Sequence, residues 1–216
     1  MRFYFIPAVL LCSAAPVAAE PVGVPSGCAV TATMLRSNCE MVQVLRCEAD
    51  AEAGPQRVDV YLDGTYLGEE EWQVIEMVRW RRGNRLQEMA AQEGSYAALA
   101  TLSAGEVMEL KADRSRRMTG TDTPAMVDPF DIRIEALGEG RRELASGQRR
   151  MVKRFRYSFT APKEESGDTV MEYDPALGLP IWAESWTTRG AEAVYGPGHT
   201  SFMSGAAPEG APCTPN

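Results

Sequence analysis

The chain has 216 residues and one histidine, His199. A serine–histidine–carboxylate relay would have to run through it. His199 sits in Gly-Pro-Gly-His-Thr-Ser, which offers none of the rigid, water-excluded framing a general base needs. No Gly-x-Ser-x-Gly, phosphate-binding loop, metal-ligand helix or Cys-x-x-Cys occurs. Asp128 and Asp131 form a carboxylate pair, but turn and capping roles around Pro129 account for both. A hydrolase working with carboxylates alone stays open. The expectation is a non-enzymatic protein with no cofactor and no metal.

Binding chemistry is better represented. Residues 148–159 read Gln-Arg-Arg-Met-Val-Lys-Arg-Phe-Arg-Tyr-Ser-Phe. At period two, Arg150, Val152, Arg154, Arg156 and Ser158 share one face of a strand. Met151, Lys153, Phe155, Tyr157 and Phe159 share the other. The arginines form a basic stripe that could meet lipid phosphates or an acidic partner. Equally, they form a solvated face paired with glutamates on neighbouring strands. The aromatic face is a candidate wall for a hydrophobic or amphipathic ligand.

A second aromatic pair lies in Tyr-Asp-Pro-Ala-Leu-Gly-Leu-Pro-Ile-Trp-Ala-Glu-Ser-Trp, residues 173–186. Asp174-Pro175 opens a turn, Gly178 re-aims the backbone, and Pro180 starts a strand where a missing N–H is tolerated. Ile181, Ala183 and Ser185 then point one way, and Trp182, Glu184 and Trp186 the other. Residues four apart on a strand are separated by about 13 Å, so the tryptophans flank Glu184 and do not stack on each other. They are a ligand-cavity wall or ordinary β-core packing.

The elements that position these residues have period two. Val58 to Leu62 alternates and meets Asp63-Gly64, a strong hairpin signal. Trp72–Trp80 is rich in β-branched and aromatic residues and is expected as one strand. Arg82-Gly83-Asn84-Arg85 is expected to turn into a return segment at 86–91. Tyr96–Leu102 and Val107–Ala112 are expected as a hairpin through Ser103–Glu106. Residues 113–129 are expected as a long loop. Asp131–Leu137 is a strand expected to turn at Gly138-Glu139-Gly140. Residues 161–168 are expected as a polar loop between 148–160 and the strands at 170–173 and 180–186, with Glu192–Tyr195 last. The fold class is mainly β: an antiparallel meander forming a half-barrel, barrel or sandwich with few short helices.

Residues 1–19 have the layout of a secretory signal: Arg2, a short apolar run from Phe3 to Cys12, and small residues ending at Ala19. Leu11 before Cys12 departs from a lipidation signal. The expected organisation is a signal at 1–19, one β domain at 20–196, and an irregular Gly/Pro/Ala-rich tail at 197–216. Localisation after cleavage is periplasmic or secreted. No later run is apolar enough to span a bilayer as a helix. The formal net charge of −8 argues against nucleic acid, whose affinity rests on Lys and Arg.

Cys28, Cys39, Cys47 and Cys213 follow the signal, an even set suited to disulfides in an oxidising compartment. A hairpin centred on Ser37-Asn38 puts Cys28 opposite Cys47, within disulfide reach. That leaves Cys39 for Cys213.

Tyr173, Pro175, Leu177, Gly178, Pro180 and Ile181 form a turn pattern that resembles the closing strands of secreted bacterial LolA/LolB-like half-barrel envelope proteins. The resemblance covers about the last fifth of the chain, which sets its weight beside fold-level analogy. It implies a curved sheet holding an acyl chain or other hydrophobic ligand. This chain lacks that family's plugging helices and carries four cysteines after the signal. The leading expectation is therefore a periplasmic protein binding a lipid or other hydrophobic small molecule at Phe155, Tyr157, Phe159, Trp182 and Trp186. The alternative is an envelope interaction or scaffold protein with a closed core.

Overall fold

The structure is a computed structural model describing residues 24–36, 40–49, 54–143, 149–162, 165–189, 192–195 and 199–203. Side chains are described within these ranges up to Ala183, with Leu35, Arg36 and Glu165 excepted. The strands are β1 (Cys28–Arg36), β2 (Met41–Cys47), β3 (Gln56–Leu62), β4 (Thr65–Gln73), β5 (Glu76–Arg82), β6 (Arg85–Ala91) and β7 (Val107–Met118). They continue as β8 (Met126–Glu143), β9 (Arg149–Thr160), β10 (Glu165–Asp174), β11 (Leu179–Arg189), β12 (Glu192–Tyr195) and β13 (His199–Met203). All lie in one sheet, and β1 to β12 run as an antiparallel meander in chain order, with β13 beside β1. β13 is a strand inside the tail expected to be irregular.

Two apolar clusters hold the sheet. The larger joins the buried Ala112, Phe130, Ile132, Ile134, Phe155 and Met171 of β7 to β10 with Val74, Ile75, Tyr96 and Leu99. The second joins Met34, Val42, Val44, Val58 and Val60 of β1 to β3 with Val152, Leu179 and Ile181 of β9 and β11. Strands β3 and β9 are far apart in the ladder, so the sheet curls until its early strands meet its late ones. Sheet twist supplies the direction of that curl, and burial of valine and isoleucine drives it.

Local chemistry explains several connections. Asp63 and Gly64 both take positive φ (48° and 75°) in the β3–β4 hairpin, as a two-residue turn of this type requires. Ser95 caps the 3₁₀ helix η1 (Tyr96–Thr101), its hydroxyl accepting from Ala97 N at 3.1 Å. Residues 96–102 were expected as a strand. Alanines at 97, 98 and 100 leave only Tyr96 and Leu99 to bury, and their spacing of three is that of a 3₁₀ turn.

Four further expectations are corrected. Trp72–Trp80 is two strands, because the chain turns at Val74-Ile75 between β4 and β5. Both turn residues are buried, and Val74 has φ 60°, a conformation that costs a β-branched residue energy. Burial of the tip in the larger cluster compensates, and burial is not a local sequence signal.

Residues 113–129 are mostly strand. β7 and β8 pair from Val107↔Glu135 through Arg116↔Met126, so the connection shrinks to 119–125. The polarity that suggested a loop belongs to cross-strand ion pairs, Arg114 and Arg116 with Asp128. At 138–140 the chain makes a bulge and no turn. Gly138 takes φ 102°, the register with β9 shifts, and β8 runs on to Glu143. Likewise β10 begins at Glu165, inside the expected 161–168 loop, and pairs with β9 from Ser166 onward.

Candidate functional site

The interior of the larger cluster holds the carboxylate of Glu76. Glu76 is the first residue of β5, carried inward by the buried Val74-Ile75 turn. It accepts a hydrogen bond from the Tyr157 hydroxyl of β9. Burial raises its pKa to about 7, against the lowering effect of that hydrogen bond. Its Oε2 and the hydroxyl of Tyr96 are buried with no hydrogen-bond partner. Burial, and then the nearby Glu76, push both tyrosine hydroxyls upward. At neutral pH Glu76 therefore exchanges between carboxylic acid and carboxylate inside an apolar layer.

Beside it, Arg114 stacks on the Phe130 ring at 4.4 Å and pairs with Asp128 at 3.4 Å, and Arg116 pairs with the same carboxylate. Burial pushes the Asp128 pKa up, but the two arginines outweigh it and hold the group below the usual carboxylate range. Asp128 is thus a strand residue neutralising two arginines, and Asp131, opposite Lys111, is exposed at a cavity rim. Capping around Pro129 was the expectation for both, and β8 extending through Pro129 removes it.

That cavity, of about 790 Å³, lies across β7 to β9 and the two residues, Gln92 and Glu93, that follow β6. Leu110, Ile132 and Phe159 form its apolar part, and Glu93, Glu109, Lys111, Asp131 and Arg133 form its charged rim. Phe159 links it to the core: its ring centroid is 5.4 Å from that of Phe130 and 6.2 Å from that of Tyr157. Gly167 opposite leaves room for the ring, since a Cβ there would lie 2.3 Å from Phe159 Cε1.

The aromatic residues of the face expected over 148–159 stay together, but Met151, assigned to the same face, is exposed. Phe155 is fully buried in the larger cluster, with Tyr157 and Phe159 packed against it. Trp182 lies elsewhere, with the Arg142 guanidinium over its ring at 4.4 Å. The side chain of Trp186 lies outside the described residues. On the basic face, Arg150 pairs with buried Asp174 at 2.6 Å and Arg154 with buried Glu172 at 3.5 Å, while Arg156 is exposed. Val152, on that same face, is buried in the second cluster, so the stripe is not wholly solvated.

Cys28 and Cys47 are directly opposed on β1 and β2 and form a disulfide. Cys39 and Cys213 lie outside the described residues, as do residues 1–23. His199 falls in β13, its side chain outside the described ones. Among the described residues no group of His, Cys, Asp and Glu is arranged to hold a metal ion, and no helix is long and apolar enough to cross a membrane.

Sequence reasoning missed Glu76, Tyr96, Trp72 and the cavity residues Leu110 and Ile132. One signal existed: Glu76 is a lone acid within Val-Ile-Glu-Met-Val, where an acid must be turned outward or accommodated inside.

These features define a mainly β, antiparallel protein, and its disulfide marks it as extracytoplasmic. Neither a protein-family model nor a curated protein matches the chain. A similar solved structure is that of the hypothetical lipoprotein YmcC from Escherichia coli K12, 15% identical, covering 82% of this chain and 85% of that one, with a TM-score of 0.41. A likeness of that degree says nothing about function.

Proposed function

We propose that this is a non-enzymatic periplasmic protein, released by cleavage near Ala19, that binds a hydrophobic or amphipathic ligand. The observation that carries the reading is the cavity of about 790 Å³ whose apolar wall, through Phe159, is continuous with the core aromatics. Its volume suits a small-molecule site, and its charged rim suits a ligand with a polar end. The reading places Phe155 and Tyr157 behind the ligand as support and Phe159 against it. Trp182, stacked with Arg142, does not contribute to this wall. The analogy with LolA/LolB-like half-barrels points the same way at the level of fold only.

A second reading, an envelope interaction protein with a closed core, has its own support in the complete burial of Phe155, Leu99 and Ile134. Native mass spectrometry of chain purified from a periplasm separates the two. A lipid-sized adduct that leaves on activation supports ligand carriage. A bare mass, with no uptake of added fatty acid or phospholipid, sinks it and favours the closed core.

A further inference from the structure

A second cavity, of about 540 Å³, lies where the curled sheet brings β1 to β4 against η1 and the turn after β10. It is separate from the Phe159 cavity and differs in chemistry. Its lining includes the partly buried Trp72, the edge of the buried Tyr173, and Arg46, Gln56 and Gln73, and it is closed by the Pro175–Gly178 turn.

Three parts of the lining are held by hydrogen bonds. Trp72 Nε1 donates to Glu70 Oε2 at 3.0 Å, which fixes the indole plane. The turn is organised by Asp174, whose carboxylate accepts from Ala176 N at 2.8 Å and whose carbonyl accepts from Gly178 N at 2.9 Å. Arg150 clamps that carboxylate. Gln56 Nε2 donates to the carbonyls of Leu45 and Arg57, which leaves its Oε1 directed toward Gly178. Arg46 stands next to the Cys28–Cys47 disulfide. Preorganised polar groups around aromatic faces bind without a large ordering cost.

We propose that this cavity binds a saccharide. A sugar ring has an apolar C–H face, which suits the indole of Trp72, and a hydroxyl rim, which suits side-chain amides and a guanidinium. The polar wall disfavours an acyl chain, and the net charge of −8 disfavours polyphosphates. Arg46 adds one fixed charge that favours a sugar carboxylate over a hydroxyl alone.

The test is titration calorimetry with saturation-transfer NMR on the full mature chain, using a neutral glucan hexasaccharide and an uronate hexasaccharide as probes. Three variants are compared: Gln73→Ala, Arg46→Ala and Ala176→Trp, the last placing a bulky ring from an exposed turn position into the cavity. The expected result is binding of at least one probe, weakened about fivefold or more by Gln73→Ala and lost in Ala176→Trp. Arg46→Ala should weaken the uronate and spare the glucan. No saturation transfer from either probe overturns the proposal, and so does binding that Ala176→Trp and Gln73→Ala both leave unchanged. Lipid adducts measured on Ala176→Trp keep this result distinct from the Phe159 cavity, which Ala176 does not line: any adduct of the unaltered chain should persist in that variant.

Discussion

The hydroxyl of Tyr157 donates to the carboxylate of Glu76 inside an apolar layer, joining two strands, β5 and β9, that are not neighbours in the sheet. The pair exists because the β4–β5 turn is buried. It sets a pH dependence. An acid whose folded pKa lies above its unfolded value holds its proton more tightly when folded. The stability contributed by Glu76 should be greatest below about pH 4.5 and fall as pH rises toward about 7, then level off. The full shift corresponds to at most about 3 kcal/mol. Glu76→Gln should flatten this slope and stabilise the protein at pH 8. Buried Asp59, also shifted upward by burial, contributes the same sign and persists in the variant, so the difference between the two urea-unfolding profiles isolates Glu76. Identical slopes in both proteins would show that Glu76 is not protonated in the fold.

Gly167 concerns the ligand cavity directly. Gly167→Ala pushes the Phe159 ring from its position, because the added methyl would lie 2.3 Å from Phe159 Cε1. Overpacking of this kind costs about 1–3 kcal/mol. The ring should swing into the cavity and reduce uptake of an apolar probe. Thermal unfolding with fatty-acid titration reads both effects, and undiminished uptake would place the ligand away from Phe159.

Arg150 and Arg156 share a strand face but should respond differently. Arg150→Ala leaves the buried Asp174 carboxylate without its clamp, and removing one partner of a buried pair costs about 3–5 kcal/mol. Arg156 is exposed, and its loss should change stability by less than about 0.5 kcal/mol. Equal midpoints for the two variants in chemical denaturation would refute this division of the stripe. If Arg156→Gln weakens binding to anionic vesicles at unchanged stability, the basic stripe has a binding role as well.

The Cys28–Cys47 bond closes a loop with a sequence separation of 19. Replacing both with serine should lower stability by about 2–4 kcal/mol, mainly by freeing the unfolded chain. Peptide mapping without reductant should recover a fragment joining these two cysteines. Recovery of Cys39 joined to Cys47 would contradict the β1–β2 register.

Much of the architecture was legible in the chain because it rests on local rules. Period-two alternation marked β3 and β9, and Asp63-Gly64 and Gly83-Asn84 marked hairpins through their tolerance of positive φ. Counting out from Ser37-Asn38 opposed Cys28 to Cys47 as observed, but the ladder beside the turn pairs Leu35 with Met41, one residue off that count, and a register shift between Val30 and Ala32 restores the cysteine pairing. The second half of β9 was legible too: Phe155, Tyr157 and Phe159 share the face assigned to them, whereas Met151 is exposed and Val152 buried, the reverse of the alternation expected at the start of the strand.

What the tertiary structure decided is where the chain curls and what the curl encloses. Val74-Ile75 looks like strand, and only burial against Leu99, Phe130 and Ile134 makes it a turn. Residues 113–118 and 126–129 look like loop, and only their ladder and the shared Asp128 make them strand. Glu76 meets Tyr157, and Trp72 and Tyr173 come to line one cavity, across sequence separations that no local periodicity spans. Strand propensity and turn chemistry act over a few residues. Cavities and buried ion pairs are set by which distant strands a curled sheet brings face to face.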